Sequence, residues 1–166
     1  MSDLYSELLV KKERTIKDKL VKGGLIALVV ICALVGIVMP FLFFVAIALG
    51  IAAYFIIPGT DLEFEYLFVN GELDIDKIMS KQKRKRVFSG DVSSLELLAP
   101  TQSHELDHYR SRSDIKKNDF SSGKKDARTY TMILKKEKGM ELVVFEPSDV
   151  MLNDMKRMAP REVHLQ

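Results

Sequence analysis

The sequence predicts an α+β membrane protein: a two-helix transmembrane hairpin, then a small antiparallel β domain closed by a C-terminal helix. Three observations carry this. Residues 23–57 form a run of 35 without one charged side chain. From Leu62 the apolar residues alternate, and Asn70-Gly71 follows at once. Near the C-terminus Met151, Met155 and Met158 recur at helical spacing.

Residues 1–22 come first. Leu4, Leu8, Leu9, Ile16 and Leu20 fall near one stripe of a helix, with Lys and Glu elsewhere. The expectation is a cytoplasmic amphipathic lead-in helix whose lysines lie near lipid headgroups.

The apolar run is too long for one span. At 1.5 Å per residue it would extend roughly 50 Å, against ~30 Å of hydrocarbon. Gly36 and Pro40 stand at its middle, where a tight turn fits. The spans are therefore placed at about 23–38 and 41–57. A cleavable signal peptide is not expected, because the run far exceeds a 7–15-residue apolar region. Six Lys/Arg precede the first span, against four Asp/Glu, and the turn carries no charge. The positive-inside rule puts the N-terminus in the cytoplasm, and two spans return the C-terminus to the same side. The expected location is the cell membrane, multi-pass, with both termini cytoplasmic.

Residues 58–166 make the β domain. Leu62, Phe64, Tyr66 and Phe68 alternate as a half-buried strand. Both Asn70 and Gly71 accept positive φ, as a type I′ hairpin requires. That turn sets Phe68 opposite Leu73 and Tyr66 opposite Ile75, so the apolar faces match. A third strand is expected at about 83–89 and a fourth around Leu95, Leu97 and Ala99. Residues 101–127 are polar and read as a long loop that holds at most one short helix. Residues 128–134 and 141–145 form a strand pair around a turn at 136–140. Ser148 caps a final helix that Pro160 ends, and its methionines are placed in the core.

Charge excludes one class of partner. Residues 58–166 hold nineteen basic and nineteen acidic side chains, so no nucleic-acid binding is expected. Cys32, the single cysteine, lies inside the first span, so no intrachain disulfide is possible.

Two segments are candidate sites. Lys81, Lys83, Arg84, Lys85 and Arg86 form a basic run that would contact anionic lipid or a partner. Pairing with Glu63, Glu65, Asp74 and Asp76 on neighbouring strands accounts for the same residues without a ligand. His104-Glu105-Leu106-Asp107-His108 matches H-E-x-x-H, which on a helix sets two imidazoles on one face for Zn²⁺. A third ligand is not evident, since Ser111 and Asp114 stand where the extended motif has Gly and His. Asp114, Glu137 and His164 are the residues that could supply one. No cofactor is expected.

The segment from Leu62 to Pro100 resembles bacterial membrane proteins with a pleckstrin-homology-like (PH-like) domain. The likeness lies in the aromatic first strand, Asn70-Gly71, the strand from Glu72 to Ile78, the basic Lys83 to Arg86, and Asp91-Val92. Through Gly71-Glu72-Leu73-Asp74-Ile75-Asp76-Lys77 and the adjoining basic run, the chain is also similar to a small membrane-protein family of Gram-positive anaerobes. The resemblance implies a barrel closed by a C-terminal helix, and no reaction. The strands counted here are six rather than the seven of such a barrel, so an open sheet stays a second expectation. The function expected is a non-enzymatic membrane-anchored interaction module, its cytoplasmic domain binding a protein partner or anionic lipid. The alternatives are a zinc-dependent membrane-associated hydrolase using His104, Glu105 and His108, and a structural subunit of the membrane.

Overall fold

A computed structural model of the chain describes residues 4–137 and 139–165. It divides into two compact units. One comprises Met1–Lys12, Glu63–Ile78 and Arg84–Gln166, the other Glu13–Leu62 and Met79–Lys83.

The first unit is built on two sheets. Strands β1 (Tyr5–Lys11), β2 (Leu62–Val69), β3 (Glu72–Met79) and β4 (Lys83–Asp91) lie in the order β1-β2-β3-β4. Strands β5 (Leu95–Pro100), β6 (Lys116–Asp119), β7 (Tyr130–Lys136) and β8 (Gly139–Phe145) lie in the order β5-β7-β8-β6. The β5–β7 and β7–β8 pairs are antiparallel, and β6 runs parallel to β8. The sheet is open, two four-stranded halves rather than a closed barrel, and the described residues form eight strands instead of the six expected.

The two additional strands come from segments with other expectations. The lead-in helix of residues 1–22 is corrected. Tyr5–Lys11 is a strand paired with β2, and helix begins only at Ile16, while residues 1–3 lie outside the described part. Leu8-Leu9-Val10 fits either period. The ladder decides it, because Ser6, Leu8 and Val10 stand opposite Phe68, Tyr66 and Phe64 on the core face. The long loop 101–127 is corrected in part: the one short helix it allowed is present, and a strand is added. It holds a 3₁₀ turn (His104–Leu106), the short helix α3 (Asp107–Ser111) and β6. Its few apolar residues act as anchors: Leu106 and Ile115 join Leu97, Ala99, Ile133 and Leu142 in a small second core.

The main core contains side chains from both sheets. Phe64 meets Phe120, and Tyr66 meets Phe145, edge to face at 5.6 and 5.8 Å. Asn70 and Gly71 both have positive φ, as the type I′ turn demands, and Tyr66, Phe68, Leu73 and Ile75 are all buried. Helix α4 (Asp149–Met158) starts at Ser148, whose hydroxyl accepts from the Met151 N–H, and buries Met151 and Met155, whereas Met158, also expected in the core, is 43% exposed in its last turn. Gly139, in the expected turn of 136–140, takes positive φ, and Lys138 lies outside the described residues.

The second unit holds helices α1 (Ile16–Gly36) and α2 (Pro40–Ile56). Thr15 and Asp18 form a capping box, which starts α1 seven residues before the apolar run and takes Lys17, Lys19 and Lys22 into its first turns. Pro40 opens α2. The helices touch through small residues: Gly36, Ala46 and Ala53 are buried, and a Cβ on Gly36 would come within 2.8 Å of the Phe43 nitrogen. By length and composition, Ile16–Gly36 and Pro40–Thr60 are both able to cross a membrane, and only 6% of each apolar window is buried.

Candidate functional site

The basic run divides between two faces of β4. Arg84 reaches Glu65 directly and Asp76 at 3.8 Å. Arg86 reaches Asp74 at 2.7 Å and Asp76 at 3.1 Å. These acids keep only 12–14% of their side chains exposed, whereas the two arginines keep more than half. The guanidinium groups lie over the acidic ladder as a cover. Burial raises the Glu65 carboxyl above its ordinary value, Arg84 opposes this, and Glu7 and Asp76 add to it. Alternation along the strand then sets Lys83 and Lys85 on the other face. The structure therefore does not gather the five basic residues into one site.

The alternation breaks once, after Arg86. Strict alternation would turn Phe88 outward with Arg84 and Arg86. Instead Phe88 is buried in the main core and Ser89 turns outward, donating to Glu72 at 2.9 Å. One residue of slip lets β4 carry a charged half and an apolar half without burying a guanidinium.

The β3–β4 turn belongs to the second unit. Ser80 and Lys81 have φ of 48° and 58°, and the Gln82 N–H donates to the Met79 carbonyl at 3.1 Å. The turn is again type I′, but here no glycine relieves it. The Ser80 N–H donates to the Asp61 carbonyl at 2.8 Å, and the Asp61 carboxylate holds Arg14 at 2.7 Å. The Lys83 ammonium stands 6.0 Å above the Tyr54 ring. The sequence gives no sign of Asp61 as the residue that ties this turn to the helix ends, because its partners lie 47 residues before it and about 20 after.

The H-E-x-x-H residues do not converge. The segment is broken into a 3₁₀ turn and a five-residue helix, with Leu106 buried beneath it. His104 is fully exposed and pairs with Asp107 at 3.2 Å. His108 packs its ring against Tyr109. Glu105 Oε2 lies 2.6 Å from His164 Nδ1, a contact across 59 positions that the motif does not foreshadow. Among the described residues, no three of His, Cys, Asp or Glu come together in a way that could hold a metal ion.

A depression of about 550 Å³ is lined by Lys116, Lys136, Glu137, Met140 and Glu141. Three of its polar groups are already engaged: Glu141 takes Lys116 at 2.9 Å and Asn118 at 2.5 Å, and Lys136 donates to the Ser89 carbonyl.

One unit holds two sheets and a capping helix, and the other holds two apolar helices. The family model described as Bacterial PH-like domain (DUF6106) covers residues 2–165. The chain belongs to this family. No curated protein and no solved structure matches it. PH-like domains are often protein or lipid interaction modules and are generally non-catalytic. In this PH-like domain Tyr66 joins the two halves: its hydroxyl donates to the Phe120 carbonyl at 2.8 Å and accepts from the Glu146 N–H at 3.3 Å. Burial pushes the Tyr66 phenol well above its ordinary value.

Proposed function

We propose that the chain is a non-enzymatic, membrane-anchored interaction module. Its PH-like domain faces the cytoplasm and binds a protein partner or anionic lipid beside the membrane. One observation supports this above all. Strand β1 precedes α1, β2 follows α2, and the two strands are hydrogen-bonded from Tyr5↔Val69 to Lys11↔Glu63. This pairing supports placing Lys11 and Glu63 on the same side of the membrane, with an even number of spans between them. The low burial of both apolar helices leaves a large apolar surface that water does not favour. The basic residues before α1 favour the cytoplasmic side.

The test uses two fusions, one before Met1 and one after Gln166, each with a reporter active only in the cytoplasm. Both are expected to be active, with the chain resistant to alkaline carbonate extraction. Activity of one alone contradicts the paired strands, and carbonate extraction removes the anchor.

A further inference from the structure

We infer that the tip of the β3–β4 hairpin, through Lys81 and Lys83, binds the phosphodiester headgroups of anionic phospholipids, while Arg84 and Arg86 serve the sheet. This rests on the reading that α1 and α2 span a bilayer, and it names the ligand and residues on the domain's side of that bilayer.

The placement of the tip is the first ground. Residues Met79–Lys83 belong to the same compact unit as the apolar helices. The Ser80 N–H is bonded to the Asp61 carbonyl, just past the end of α2. Tyr54, in the last turn of α2, is 68% exposed and lies under the Lys83 ammonium. A tyrosine at the end of a span marks the headgroup level, where its ring suits the boundary between tail and water. A lysine above it is at phosphate height, with its stem along apolar surface.

The charge distribution is the second ground. The unit with the apolar helices carries six basic and three acidic side chains, and the other carries nineteen and twenty. Two of those three acids are already engaged, Asp18 in the Thr15 cap and Asp61 with Arg14. The positive excess therefore gathers at the helix ends, with Lys17, Lys19 and Lys22 on α1 and Lys81 and Lys83 on the turn.

The turn itself is the third ground. Positive φ is unfavourable at both Ser80 and Lys81, which carry side chains where glycine would be free of strain. Asn70-Gly71 shows that the chain uses glycine in the same turn type elsewhere. At the tip, the strained backbone keeps a lysine where a glycine would relax it.

The experiment uses the full chain reconstituted in phosphatidylcholine vesicles containing phosphatidylglycerol. Spin-labelled versions of each lipid report the selectivity of the lipid held at the protein surface. The wild type is expected to prefer phosphatidylglycerol, with the preference falling at high salt. The pair Lys81→Gln and Lys83→Gln should reduce it at least twofold, against a ceiling of about fivefold per lysine set by ~1 kcal/mol for each basic residue near a charged leaflet. Lys125→Gln, an exposed change in the other compact unit, should leave it within the error. Added inorganic phosphate should not compete at fixed ionic strength. Unchanged selectivity in the double variant overturns the inference and leaves the tip to a protein partner. An equal loss from Lys125→Gln overturns it in favour of diffuse charge, and displacement by inorganic phosphate overturns it in favour of a free-anion site. Extraction of the wild type by carbonate is a separate result, and it removes the membrane reading itself.

Discussion

Phe68 and Tyr66 are both fully buried on one face of β2, yet they fail in different ways when changed. Phe68→Ala leaves a cavity between the sheets and should cost about 3–5 kcal/mol in thermal or denaturant unfolding of the protein in detergent. Tyr66→Phe keeps the volume but leaves the Phe120 carbonyl without its donor, a loss of about 1–3 kcal/mol at neutral pH. The pH dependence separates them. Folding holds the Tyr66 proton more tightly than the unfolded chain does. The stabilisation is fully present below the ordinary tyrosine value of about 10 and is lost as pH rises from there toward the folded value. The advantage of wild type over Tyr66→Phe should therefore shrink above about pH 10, while its advantage over Phe68→Ala keeps no such window. A constant gap between wild type and Tyr66→Phe across the alkaline range would show that this phenol does not titrate differently on folding. Residue-scale features of this kind were legible where the cause is local. Alternation around Asn70-Gly71 identified the buried faces of β2 and β3, and spacing identified Met151 and Met155. The 59-position pairing of Glu105 with His164 was not, because nothing near either residue requires it.

Two turns of one type, in the same sheet, make a controlled pair at the scale of elements. Gly71 has φ of 99°, and a Cβ there would meet the Met158 methyl at 2.5 Å. Gly71→Ala should therefore destabilise the protein by about 1–2 kcal/mol from backbone strain alone. Lys81, at φ of 58°, has the opposite need. Lys81→Gly should raise stability by about 0.5–1 kcal/mol, measured in uncharged detergent so that no anionic lipid contributes. Loss of stability on Lys81→Gly would mean that its stem packs in a way that outweighs the strain. The elements missed in the sequence, β1 and β6, share a physical cause. Each is a short strand whose hydrogen bonds run to partners far along the chain. Lys11 pairs across from Glu63, and Lys116 stands beside Glu141. Local propensity in Leu8-Leu9-Val10 is silent between helix and strand, and the polar Lys116–Asp119 carries no alternation at all. In both, the tertiary ladder settles the conformation.

At the scale of the whole molecule, the apolar run was legible as two long helices because Gly36 and Pro40 divide it, but its place in the architecture was not. The helices are inserted between two neighbouring strands of a sheet, rather than set ahead of a finished domain. The absence of a converging H-E-x-x-H site makes a further expectation. Purified protein should carry no stoichiometric Zn²⁺, and Glu105→Gln should release the C-terminal His164 contact without altering metal content. One Zn²⁺ per chain, lost on His104→Ala or His108→Ala, would restore the hydrolase alternative. The insertion also has a consequence for biogenesis. During synthesis β1 emerges before β2 and can pair with it only after both helices have left the ribosome. In the proposed topology, β1 can close the sheet only if the hairpin has entered the bilayer and returned. A hairpin that stalls after one helix leaves β1 and β2 on opposite sides, with the edge of the sheet bare and open to proteases. Completion of the domain is thus a readout of successful insertion, made by the chain on itself before any partner arrives.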